Sequence, residues 1–422
     1  MFSRIRASKS HNTNTCCSRK WSLKVQICTL CGIMVCTLMM FMVPSLLAML
    51  QSGQVSPELA RYATYIYYKM DTAIAAVLAS DVPSYTEREK WEMESTLHGR
   101  YWHNTSECSV LSDSHLLFAM RTPKAASTTL EELVFKLAPM NHYMVSKVAS
   151  VSPGRPGNDP IKYSERARAL CEYFSSLNKK AVSVAHIRYL DFEHYHFPTP
   201  IYVGTIRDPV LRMQSHYNYD FFGDRPMHVG MKNGKGSKKV LSFVECVEAY
   251  MEHRRPRSDS LSGVLPNRTN DRLVTVADAV RFPCMSSKYV NVQLRYYCGM
   301  GNLQCKLAST AIEGSLEWAL RMAVRNMRRS FRVVLLVEDM ANSIALLEKT
   351  VPTFFKGAIH AYNSSAEGLH SNTNTNIRSS HNIPHAVYSF LSDLLFYEIQ
   401  LYNAAKEHLE HNVRICEIRR LV

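Results

Sequence analysis

No glycine lies between His115 and Leu130, although that stretch reads as a short apolar strand, a tight turn and a helix start. The absence excludes the nucleoside-triphosphate P-loop, whose phosphate cradle needs two glycines ahead of Lys-Ser/Thr. No pair of cysteines beyond residue 53 has Cys-x-x-Cys spacing, which removes the usual zinc-ribbon pattern, and no metal is expected. No charged residue occurs from Val25 to Gly53, and no acid occurs before residue 25. No internal repeat is present.

Two of these absences set the topology. The uncharged stretch is almost wholly apolar from Val25 to Leu50, long enough to cross a bilayer as a helix. Six positive residues precede it (Arg4, Arg6, Lys9, Arg19, Lys20 and Lys24), which places the N-terminus on the cytosolic side. The run is too long and starts too far in for a cleaved signal peptide. The expected organisation is a cytosolic tail (1–24), a signal anchor (25–50), a lumenal stem (51–111) and a lumenal domain (112–422). Three Asn-x-Ser/Thr sequons, at Asn104, Asn267 and Asn363, fit a lumenal body.

Seven of the twelve cysteines fall beyond the span, and an oxidising lumen should pair some of them. Cys298 and Cys305 are close enough for a small loop bridge. Cys246 with Cys284 is the next expected pair, and the odd number leaves at least one free thiol or an intermolecular bridge. The net charge of +14 points to polyanionic partners or an anionic surface.

What the chain does contain is an alternation of strand and helix signals. Strands are predicted at 115–120, 181–187, 201–206 and 332–337. Helices are predicted at 127–138, 161–176, 209–221, 241–252, 274–279, 308–329, 341–349 and 384–408. This pattern argues for an α/β domain with a mainly parallel sheet, whose ligands bind at the carboxyl ends of the strands.

Three stretches carry chemistry. The first is Arg-Thr-Pro-Lys-Ala-Ala-Ser-Thr-Thr, from Arg121 to Thr129. A strand turning into a helix start offers free N–H groups and the positive dipole end to an anion, and Lys124 with the hydroxyls of Ser127, Thr128 and Thr129 adds donors. Glu131 and Glu132 are read as first-turn acids of that helix. The second is the strand ending at His186, a candidate proton acceptor at the same sheet edge. The third is Ile-Arg-Asp-Pro-Val-Leu-Arg-Met-Gln-Ser, from Ile206 to Ser215. There an anion could bridge Arg207 and Ser215, while Arg212 could pair with Asp208 at i, i+4.

In order and spacing, these stretches resemble the 2-O-sulfotransferases of glycosaminoglycan synthesis. The likeness continues through Cys298 and Cys305, Val337-Glu338-Asp339, Phe354-Phe355 and Leu369-His370, and so covers nearly all of 115–410. It implies a P-loop-like sulfotransferase domain, with a central mainly parallel sheet flanked by helices, preceded by a single transmembrane helix and stem. The implied donor is 3′-phosphoadenosine 5′-phosphosulfate (PAPS). Its phosphosulfate would lie on Arg121, Lys124, Ala125, Ala126, Ser127, Thr128 and Thr129, its 3′-phosphate on Arg207 and Ser215. Tyr362 and Thr373 would line the nucleotide.

The implied acceptor is the 2-hydroxyl of a hexuronic acid in a sulfated glycosaminoglycan such as heparan, dermatan or chondroitin sulfate. His186 would serve as base beside Lys124. Arg121, Lys147, Arg225, Lys232 and Lys235 are the candidate polysaccharide contacts. The resemblance further implies a homotrimeric Golgi enzyme. Two departures stand out: Val184 replaces a second histidine, and Phe135 replaces a tyrosine near the acceptor. The alternative is a catalytically silent glycosaminoglycan-binding membrane protein of the same fold.

Overall fold

The computed structural model describes residues 108, 110, 114–146, 160–223, 240–254, 274, 276–300, 305, 315–364 and 382–418. The chain divides into two units, Met1–Ile74 and Ala75–Val422, and every described residue lies in the second. The expected tail and membrane span, and nearly all of the stem, lie outside the described residues. So do Asn104, Lys147, Arg225, Lys232, Lys235, Asn267 and Thr373. Among the described residues no helix is long and apolar enough to cross a membrane.

The elements follow in chain order: β1 (Leu116–Met120), α1 (Ser127–Met140), β2 (Met144–Ser146), α2 (Pro160–Ser175), β3 (Ala181–Ala185), β4 (Ile201–Ile206) and α3 (Pro209–Phe222). Next come α4 (Phe243–Arg254), α5 (Val276–Arg281), α6 (Val292–Cys298), α7 (Ser315–Ser330), β5 (Phe331–Leu336) and α8 (Met340–Thr350). The chain closes with α9 (Pro352–Phe355), α10 (Ala358–Asn363), α11 (His385–Leu394) and α12 (Phe396–Ile415).

The five strands form one parallel sheet in the order β2-β3-β1-β4-β5. Every residue of β1, β3 and β4 is buried, as expected of strands covered by helices on both faces. That explains why they read as continuous apolar runs rather than alternating ones. At Gly204, in β4, a Cβ would come within 2.7 Å of the Tyr297 hydroxyl and 2.8 Å of the Phe331 ring, so glycine is what lets α6 and β5 close over this strand.

A second, smaller core lies beside α3, where Val210, Met213 and Tyr217 meet Phe243, Tyr250 and Leu391. It is pinned by the Cys246–Cys284 disulfide. The Cys298–Cys305 bridge is also formed. A third bridge, Cys108–Cys416, joins the end of the expected stem to the end of α12 across 308 residues. Sequence spacing gives no hint of such a pair. Among the described residues Cys171 is the free thiol; burial pushes its pKa up to about 12, leaving it protonated and inert.

The predicted elements recur with shifts of a few residues at their ends, except that the first residues of the helix predicted over 308–329 lie outside the described ones; three readings change. The single predicted helix over 384–408 is two helices, α11 and α12, broken at the fully buried Leu395 and running on to Ile415. Four short elements, β2, α6, α9 and α10, were not predicted, being too short to show a period. Glu131 and Glu132 lie beyond the first turn of α1, whose N-cap is Ala126.

Candidate active site

The three chemical stretches meet at the carboxyl edge of β1, β3 and β4. Arg121 N–H donates to the Ala185 carbonyl at 2.9 Å, extending the β1–β3 ladder by one bond. Thr122 N–H reaches the Thr205 hydroxyl of β4 at 3.4 Å. The chain then turns sharply, with Ala125 N–H on the Thr122 carbonyl at 3.3 Å. Lys124 and Ala126 both take left-handed backbone conformations, φ 62° and 50°. Non-glycine residues hold such angles at a cost of about 1–3 kcal/mol each, and they concentrate at functional turns. Ala126 offers no side-chain cap, so the first N–H groups of α1 keep their positive end open.

His186 follows β3 directly. Its Nδ1 lies 2.8 Å from the Arg121 carbonyl oxygen. A carbonyl only accepts, so in the neutral ring Nδ1 carries the proton and Nε2 the lone pair. His186 is exposed to solvent. Its pKa lies below the ordinary histidine value because surrounding atoms displace water and because the Arg121 guanidinium repels the protonated form. Lys124 lowers it further, while the Arg121 hydrogen bond and Glu131 act the other way. Arg121 itself is paired with Glu131 at 2.8 Å.

Arg207 directly follows β4, at the start of the third stretch. Its Nη1 donates to the Lys124 carbonyl at 3.3 Å, joining two loops 83 residues apart. Gln293 of α6 clasps the Arg207 backbone, accepting from its N–H and donating to its carbonyl, both at 2.8 Å. Gln293 is held in turn by Glu398, which accepts its N–H at 3.0 Å. Neither Gln293 nor Glu398 was a sequence candidate; a buried Gln on a short helix carries no sequence signal.

The sequence pairing of Arg212 with Asp208 is corrected. Arg212 is fully buried and pairs with the fully buried Glu398 at 3.2 Å, also donating to the Tyr289 carbonyl. Asp208 instead caps α3, accepting from Leu211 N–H at 2.9 Å and from the Tyr388 hydroxyl at 2.7 Å. Glu338, just after β5, accepts from Asp208 N–H at 3.0 Å. Ser215 is half-buried on α3, one turn before Tyr219, whose ring lies 4.0 Å from the Lys124 ammonium.

The donor groups suit a large anion. The Nε atoms of Arg121 and Arg207 and the Thr122 hydroxyl are buried without a hydrogen-bond partner, beside the open α1 N-terminus. Burial lowers the pKa values of Lys124 and Arg207, which an incoming anion would counter. Among the described residues no group of three or more His, Cys, Asp or Glu side chains is arranged to hold a metal ion.

Comparison with known proteins points the same way. Heparan sulfate 2-O-sulfotransferase 1 of Gallus gallus is 26% identical over 256 residues, 59% of this chain and 58% of that protein. The Mus musculus protein of the same name is 27% identical over 248 residues, 57% of this chain and 56% of its own length. Uronyl 2-sulfotransferase of Mus musculus is 24% identical over 243 residues, 56% of this chain and 50% of its own. The chain is homologous to these sulfotransferases. It spans between half and three-fifths of the length of these sulfotransferase relatives, and no protein-family model matches it.

Of the remaining predicted positions, Tyr362 is half-buried near the end of α10, and Asn363 beside it is exposed. Phe135 is exposed on α1. Val184 is buried in β3 opposite Ala119.

Proposed function

We propose that the protein transfers a sulfuryl group from PAPS to the 2-hydroxyl of a hexuronic acid in a glycosaminoglycan, as a single-pass type II Golgi membrane enzyme that assembles as a homotrimer. The observation that carries this reading is the His186 ring, tethered by Nδ1 beside the open, lysine-bearing N-terminus of α1. When bound, PAPS supplies an activated sulfuryl group on a phosphate leaving group.

The chain's own residues do the rest. Nε2 of His186 accepts the acceptor hydroxyl's proton, and the lowered pKa favours the neutral form that this task needs. Lys124 and the N–H groups of Ser127, Thr128 and Thr129 face the charge that grows on the phosphosulfate oxygens. Arg207 and Ser215 hold the 3′-phosphate, which fixes the nucleotide for in-line attack. Tyr362 and Thr373 line the nucleotide, and Arg121, Lys147, Arg225, Lys232 and Lys235 contact the polysaccharide. Tethering Arg207 to the Lys124 carbonyl means that the two anion sites move as one.

The test offers radiolabelled PAPS with desulfated heparan, dermatan and chondroitin chains separately, followed by disaccharide analysis. Label on the 2-position of uronic acid is the expected result and names the acceptor. Nucleotide binding without label on any chain would favour a silent glycosaminoglycan-binding protein instead.

A further inference from the structure

Tyr219 has no part in the proposed reaction, yet it touches the one lysine in the anion loop. The Lys124 ammonium stands 4.0 Å from the centroid of its ring. The ring is 45% exposed and is not a piece of the core. Ser215, His216, Tyr219 and Asp220 share one side of α3, because positions i, i+1, i+4 and i+5 cluster on a helix surface. Lys124 influences the charge state of His216, and Asp220 that of Lys124, so this side of α3 faces the loop.

The lysine is therefore fixed at both ends. Its left-handed backbone is held by Arg207 Nη1 on the carbonyl oxygen, and its ammonium rests on an aromatic face. Without that face the ammonium would be pushed outward by the Arg207 charge. The neighbouring Asp220 forms no ion pair with the ammonium. Its Oδ2 is already engaged by Lys288 Nζ at 2.7 Å and by the Tyr289 hydroxyl at 2.8 Å, and its Oδ1 is buried with no hydrogen-bond partner at all.

We infer that Tyr219 is a positioning residue for Lys124: its ring face holds the ammonium between the α1 N-terminus and the Arg207–Ser215 site, so that a phosphosulfate-bearing nucleotide meets a preplaced cation. This inference rests on the proposed sulfuryl transfer for its consequence, though not for the contact itself.

The test uses the full chain with Tyr219→Leu and Tyr219→Phe. Four quantities are measured: affinity for 3′-phosphoadenosine 5′-phosphate by calorimetry, the labelling rate of Lys124 by a water-soluble amine-reactive ester, read by peptide mass spectrometry, the acceptor KM and the melting temperature. A cation over an aromatic face is worth about a fivefold to tenfold change in binding at a partly exposed site. Tyr219→Leu is expected to weaken nucleotide binding by about that factor, to speed Lys124 labelling, and to leave the acceptor KM and the melting temperature unchanged. Tyr219→Phe, which keeps the ring, is expected to match the parent.

Equal labelling of Lys124 in the parent and Tyr219→Leu would overturn the inference, as would equal losses in the Leu and Phe variants. If the parent binds no nucleotide while labelling still depends on the ring, the positioning role stands and the sulfuryl-transfer reading falls.

Discussion

The β1–α1 and β4–α3 junctions are built alike, each a buried strand, a tight turn carrying a cation and a helix start. Their helix ends nevertheless differ. At β4–α3 the Asp208 carboxylate caps the helix, Pro209 occupies the first turn, and Tyr388, Glu338 and Gln293 satisfy the surrounding polar groups. At β1–α1 the N-cap is a left-handed alanine with no capping side chain. The first helix end is left open to a ligand, whereas the second is filled by its own aspartate. An anion at the second junction must therefore rely on the Arg207 guanidinium and the Ser215 hydroxyl rather than on helix N–H groups. The difference also explains where the strain sits: the open junction holds two non-glycine residues at positive φ, and the filled one holds none.

The largest way to test this division is at the base. His186→Ala is expected to lower turnover by about a hundred- to ten-thousand-fold while nucleotide affinity, measured by calorimetry, stays within twofold of the parent (about 0.4 kcal/mol). Near-normal turnover would move the chemistry away from the β1–α1 junction. In the parent the acid limb of kcat/KM should have a midpoint below the usual histidine range, because the base must be neutral and its pKa is lowered. Arg121→Gln removes one repelling charge and should move that midpoint upward.

The filled junction should fail by unfolding first, with weaker ligand binding as a consequence. Arg212→Ala leaves Glu398 buried without its cation, and a loss of about 3–5 kcal/mol in denaturant unfolding is expected. Because Glu398 also holds Gln293, and Gln293 holds Arg207, nucleotide affinity should fall with it. A variant of unchanged stability would mean that Glu398 is compensated elsewhere.

Making the open junction resemble the filled one is the sharper comparison. Ala126→Asp puts a carboxylate at the α1 N-cap, where it competes with an anionic ligand, and asparagine and aspartate tolerate left-handed backbone. Nucleotide binding should weaken by about a hundredfold (near 2.7 kcal/mol), with the fold retained by circular dichroism. The converse change, Asp208→Ala, opens the α3 terminus. It should cost only ~1 kcal/mol of stability, the usual worth of a helix cap, with a small effect on nucleotide affinity.

Much of this site was legible because it is local. The apolar runs of β1, β3, β4 and β5 announced a buried parallel sheet, and the Asp-Pro at 208–209 announced a helix start. Short spacing gave away the Cys298–Cys305 loop. The rest was hidden for physical reasons. Nothing in Ala126 marks it as the N-cap, because the left-handed turn is imposed by the bonds around it. Arg212 looked like a partner for Asp208 because i, i+4 spacing is visible in sequence, while burial against α12 is not.

What the sequence by itself determined is the set of strand–turn–helix units, the residue types at their turns and the charge they carry, since these follow from periodicity and local sterics. The tertiary structure alone decided which turn stays open and which is capped. It also set Lys124 between Arg207 and Tyr219, tied Gln293 to Glu398, and bridged Cys108 to Cys416. Those contacts join residues far apart in the chain, 83 positions for Lys124 and Arg207 and 186 for Arg212 and Glu398. Their energy is realised only after the sheet has brought its carboxyl ends together and excluded water from between them.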